Sequence, residues 1–137
     1  MIALLKAEPA ANQVELLLRS GDARISTVNL AEVVDVLVRR DGFAHAEIRD
    51  LLDPLIATDL AVVAADVSTA WAAADVRARH YRRRGSALSM ADCFAIATSS
   101  ALGSLGRLAT ADAVLADVAR AEGVDVLRLP NSQGRLS

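Results

Sequence analysis

Apolar residues recur in this chain with two alternating rhythms, and that alternation restricts the fold more than any single motif. Stripes at helical spacing run through 29–40 (Leu30, Val33, Val34, Leu37, Val38), 45–57 (Ile48, Leu51, Leu52, Leu55, Ile56) and 67–83 (Val67, Ala70, Trp71, Ala74, Ala78, Tyr81). Others cover 90–102 (Ala91, Phe94, Ala95, Thr98, Leu102), 112–122 (Val114, Leu115, Val118) and, more briefly, 11–19 (Val14, Leu17, Leu18). Between them lie short β-like runs, "ARIST" at 23–27, "LAVVAA" at 60–65, "SLGRLAT" at 104–110 and "VDVLRL" at 124–129. "LAVVAA" does not alternate with polar residues, as suits a strand buried on both faces. Helices interleaved with such strands predict an α/β fold with a parallel sheet and helices on its faces. Glycines in "LGS" and "EGV" follow helices, where a left-handed residue ends the turn. No internal repeat or linker divides the chain, so 1–129 reads as one domain and 130–137 as a frayed tail.

Composition bounds the partners. Hydrophobic residues make up 53% of the 137 positions and aromatics only 3%, which favours a core of small and branched aliphatics in one domain. A net charge of −2 gives no overall polycation for nonspecific nucleic-acid binding. The lone Cys93 allows no intramolecular disulfide and no thiolate metal cluster, so a reducing, cytoplasmic setting is expected. No apolar run approaches the roughly 18 residues of a membrane span, and the first residues do not read as a secretory signal.

Three strand-to-helix junctions carry an acid: Glu32 in "STVNLAE", Asp92 in "SALSMAD" and Asp112 in "LATAD". Each is expected in the first turn of its helix. Helix capping accounts for them singly: Asn29 with Glu32 and Ser89 with Asp92 have capping-box spacing, and Thr110 is a candidate N-cap before Asp112. As a set they have another reading. A helix over 90–102 advances roughly 20 Å, and a strand over 105–109 returns roughly 16 Å. Asp92 and Asp112 are thereby expected at one sheet edge, with Glu32 on the same edge, where open α/β sheets bind ligands. Carboxylates gathered there repel unless a cation neutralises them, and hard oxygen ligands suit Mg²⁺ or Mn²⁺.

Just ahead of Asp92, "VRARHYRRRGSALSMAD" concentrates Arg77, Arg79, Arg82, Arg83 and Arg84. Such a run is either the solvated end of a helix or a contact for a phosphate backbone, with Tyr81 available to stack on a base. His45 and His80 lack metal-ligand partners at useful spacing and read as surface residues. Trp71 reads as core, and Cys93 as a small buried filler.

The stretches "STVNLAEVVDVLVRR", "GSALSMADCFAIATSSALG" and "LATADAVLADVARAEGVDVLRL", in this order, resemble the PIN-domain ribonuclease family, in particular VapC-type toxins of bacterial toxin–antitoxin pairs. The resemblance implies a three-layer α/β/α sandwich around a parallel sheet and hydrolysis of RNA supported by Mg²⁺ or Mn²⁺. By position it implies Glu32, Asp92 and Asp112 as three of four family acids, holding the metal and serving catalysis. Thr110 falls on the supporting hydroxyl residue, and Arg82, Arg83 and Arg84 are available to guide RNA. It further implies a homodimer and a cognate VapB-like antitoxin. The family opens with a central strand ending in an aspartate, followed by a Ser-Ala turn and a helix similar to "ALLKAEP". Here that first strand and its acid are missing, and the chain begins inside the helix. Three explanations are open: a true start upstream, a short and catalytically weak chain, or a partner or second copy that fills the gap. Beside the endoribonuclease reading stands an inactive PIN domain that binds antitoxin or dimerises. A phospho-receiver-like domain needs a late Lys, but the only Lys is Lys6.

Overall fold

A computed structural model describes residues 6–81 and 88–136. The elements are α1 (Ala11–Arg19), β1 (Arg24–Ser26), α2 (Thr27–Arg39), α3 (His45–Thr58), β2 (Ala61–Val63), α4 (Val67–His80) and α5 (Met90–Ala101). A 3₁₀ turn at Gly103–Leu105 then leads to β3 (Arg107–Thr110), α6 (Ala113–Ala121) and β4 (Asp125–Arg128). The interleaved order matches the two apolar rhythms, although each strand is shorter than its apolar run. Of the expected helix through "ALLKAEP", residues 3–5 lie outside the described residues, and 6–9 run through turns. Pro9 biases its predecessor away from helical dihedrals, and Ala7 lies at φ 52°.

Among the described residues the strands form two separate two-stranded parallel sheets. In one, Arg24, Ile25 and Ser26 pair with Ala61, Val62 and Val63. In the other, Arg107 to Thr110 pair with Asp125 to Arg128. Helices join the sheets. α5 touches both β1 and β3 and packs against α4 and α2. On α1, Val14 and Leu18 share a core with Leu60 and Leu129, against which Ile25, Ala111 and Leu127 also pack.

The largest core places Ala73 and Val76 of α4 on Cys93, Ile96 and Ala97 of α5, with Leu108, Leu115, Ala119 and Val124 beneath. Its small residues allow the two helices to approach closely. α4 turns this narrow stripe inward and leaves Trp71 70% exposed, which corrects its reading as core. A third core pairs Val33 and Leu37 of α2 with Ile48 and Leu52 of α3. Cys93 is buried, as expected, and burial pushes its thiol pKa up.

Two connections hold the helix ends. Gly123, at φ 78°, closes α6, and Val124 then donates its N–H to the Ala119 carbonyl at 2.9 Å. Arg77 Nη1 donates to the Leu88 carbonyl at 2.6 Å while its guanidinium lies 5.3 Å from the Tyr81 ring centroid. The C-terminal residues are ordered by a turn on Asn131: Asn131 N donates to the Arg135 carbonyl, and Asn131 Oδ1 accepts from Gln133 and Arg135 amides. This turn falls within the expected tail, 130–137.

Candidate metal and nucleic-acid site

Glu32 owes its place to the turn between β1 and α2. Ser26 ends β1 in extended geometry, and its Oγ accepts from Asn29 N at 3.0 Å. Ser26, rather than Asn29, is therefore the N-cap. The helix starts at Thr27, which moves Glu32 out of the expected first turn into the second. The proposed Asn29–Glu32 capping pair does not form, so Glu32 has no capping duty.

Asp92 does have one. Ser89 Oγ accepts from Asp92 N at 3.0 Å, and Asp92 Oδ2 accepts from Ser89 N at 2.8 Å, a reciprocal capping box. One carboxylate oxygen is committed to the backbone. Asp112 is itself the N-cap of α6, accepting from Leu115 N at 2.9 Å through Oδ1. Thr110, expected as the cap, is instead buried, and its Oγ1 accepts from Asp112 N at 3.0 Å.

Partial burial raises the Glu32 carboxyl above its ordinary range, and the negative charges of Asp92 and Asp35 raise it further. Among the described residues no group of three or more His, Cys, Asp or Glu is placed to hold a metal. Of the three acids read from sequence, Asp92 and Asp112 are engaged at helix starts and Glu32 is not. An all-oxygen pair nevertheless fits a hard cation, since Mg²⁺ is commonly held by one or two carboxylates with water completing its shell.

Asn29 escaped the sequence reading as anything but a cap. Its Nδ2 donates to the Ala91 carbonyl at 2.8 Å and its Oδ1 accepts from Ser26 Oγ at 2.5 Å. Only its place between Ser26 and Glu32 in "STVNLAE" could have signalled this.

The basic rim is divided. Arg82, Arg83 and Arg84 lie outside the described residues. Arg77 is held by Leu88 and Tyr81, while Arg79 pairs with Glu122 at the end of α6. His80, expected at the surface, is partly buried, and its Nε2 lies 2.7 Å from Glu122 Oε1. These partners, Arg79 foremost, hold the Glu122 carboxyl below its ordinary range. His45 is exposed at the start of α3, as read from sequence.

No described helix is long and apolar enough to cross a membrane. Comparison with curated proteins and with solved structures gave no match. A family model described as "PIN domain" matches residues 1–121, nearly the full length of the chain. The chain therefore belongs to the PIN domain family, a nuclease fold family whose members typically use divalent metals.

Proposed function

We propose that the protein is a metal-dependent endoribonuclease of the VapC type, a toxin neutralised by a cognate antitoxin. The observation that carries the catalytic part is that Glu32 and Asp92 stand on helices α2 and α5, which pack together and are joined by the hydrogen bond from Asn29 to the Ala91 carbonyl. In this reading Glu32 and the uncommitted oxygen of Asp92 hold Mg²⁺ or Mn²⁺, and Asp112 contributes through water. Thr110 keeps the chain before Asp112 in place. A bound divalent cation supplies activation of water and stabilisation of charge on a scissile phosphate. Arg82, Arg83 and Arg84, just ahead of Asp92 in sequence, guide the RNA backbone. The reading includes a homodimer, an antitoxin segment over the acidic groove, and a three-layer α/β/α sandwich around a parallel sheet.

The test is cleavage of RNA with Mn²⁺, with Mn²⁺ removed by chelator, and by Asp92→Asn. Asparagine retains an acceptor for Ser89 N, so the start of α5 survives while the charge goes. Cleavage is expected to fall by about 100-fold or more in both deprived samples. Equal rates for wild type and Asp92→Asn would overturn the assignment.

A second reading, an inactive module that dimerises or binds antitoxin, is favoured by the lack of a three-acid group among the described residues. It predicts antitoxin binding without metal-dependent cleavage.

A further inference from the structure

We propose that Asn29 is a positioning residue that sets the separation of Glu32 and Asp92, an inference that rests on the metal-site reading above. Among the described residues, Asn29 makes the side-chain hydrogen bond that joins α2 to α5, through Nδ2 and the Ala91 carbonyl across 62 positions of sequence. Each end of that bond lies beside an acid. Ala91 immediately precedes Asp92. Glu32 lies three residues beyond Asn29, and residues at that spacing share a helix face.

The orientation of the amide follows from its surroundings. A backbone carbonyl only accepts, so the Ala91 side of Asn29 must be the NH₂ group. Oδ1 then faces Ser26 Oγ, whose hydroxyl proton is donated to it at 2.5 Å. With that proton committed, the lone pairs of Ser26 Oγ accept from Asn29 N and cap α2. Ser26 is 2% exposed, so water does not compete for this relay. The cap needs the Asn29 backbone but not its side chain. The side chain spans between the helices instead, and it fixes two mutually repelling carboxylates by a neutral contact that costs neither of them an oxygen.

The test is the affinity of the full chain for Mn²⁺ alone, read by electron paramagnetic resonance of the free ion, with thermal unfolding alongside. Four variants are compared: Asn29→Ala, Ser26→Ala, Asp92→Asn and Asp66→Ala. Asp66 caps α4 by accepting from Thr69 N and Oγ1, and Asp66→Ala reports what loss of a remote cap does. Asn29→Ala is expected to weaken Mn²⁺ binding about 10- to 100-fold, as for other groups that orient metal ligands. Ser26→Ala, which frees the amide but leaves its bond to Ala91, is expected to weaken it less. Asp66→Ala is expected to lower the unfolding temperature and leave Mn²⁺ affinity unchanged. If Asp92→Asn weakens binding while Asn29→Ala and Ser26→Ala bind as wild type, the inference fails and the metal-site reading stands. The inference also fails if Asp66→Ala weakens binding as much as Asn29→Ala. If Asp92→Asn binds Mn²⁺ as wild type, the metal-site reading fails and takes the inference with it.

Discussion

Replacing Gly106 by alanine adds one methyl group at the point where the 3₁₀ turn passes into β3. The backbone there, φ −76° and ψ 122°, is open to any residue, so the position demands glycine only for space. A Cβ built on it would lie 1.9 Å from the Ser99 carbonyl oxygen, 3.0 Å from its carbon and 3.2 Å from Leu102 Cβ. Ser99 O is backbone near the C-terminus of α5 and already accepts from Leu102 N. No rotamer relieves the contact. Either α5 or the start of β3 must move by about 1 Å, in a region where both enter the largest core. Overpacking of this kind costs about 1–3 kcal/mol, and a clash with fixed backbone belongs at the upper end. Restriction of the unfolded chain returns about 0.4–1 kcal/mol only where the new residue fits without strain. The net expectation is about 3 kcal/mol, a large share of the roughly 5–15 kcal/mol of a typical domain. Urea denaturation followed by circular dichroism measures it, with an unchanged m-value expected. Gly123→Ala is the comparison. A Cβ on Gly123 would meet no atom within 4 Å, but the residue sits at φ 78°, so it is charged with left-handed strain alone, about 1–2 kcal/mol. A Gly106→Ala protein within about 0.5 kcal/mol of wild type, or less destabilised than Gly123→Ala, refutes the packing argument.

Glu122→Gln is expected to remove about 1 kcal/mol of stability at neutral pH, since a charged acceptor is lost from Arg79 and His80. Because the folded pKa of Glu122 is depressed, its contribution is complete above the unfolded glutamate pKa of about 4.3 and is lost as pH falls through the lower folded value. The difference between the two proteins should therefore vanish in acid, and a difference that grows below about pH 4 contradicts the arrangement. Trp71, the only tryptophan, is expected to emit as a water-exposed indole and to be quenched readily by acrylamide. Trp71→Ala should change unfolding free energy by less than about 0.5 kcal/mol, and a loss of several kcal/mol would return Trp71 to the core.

Much of the fold was legible because periodicity is a local property. The helices of "NLAEVVDVLVRR" and "EIRDLLDPLI" and the parallel strands "ARIS" and "AVV" follow from the spacing of their own apolar residues. What local spacing does not decide is which of two apolar stripes faces inward. α4 is apolar on most sides, and the inward choice went to Ala73 and Val76 because α5 offered Ile96 and Ala97 at close range. Capping was ambiguous for a similar reason. Ser26 and Asn29 stand three apart, as do Asn29 and Glu32, and only the extended end of β1 selects the first pair. The bond from Asn29 to Ala91 leaves no mark in either segment, because the chain between them carries no record of the approach. The acids were found as residues, and the structure distinguishes their duties: Asp92 and Asp112 cap, whereas Glu32 does not.

The grip of Arg77 on both Tyr81 and Leu88 bears on how the chain tolerates a change of length. One side chain anchors the place where the backbone leaves α4 and the place where it returns ahead of α5. Residues added between these anchors need not alter the register of Asp92, since the return point is fixed by the guanidinium and not by the span. Closing a longer excursion costs only about 0.6 kcal/mol for each doubling of its length. A change of length between the two anchors is thus expected to leave Asp92 where the capped start of α5 holds it.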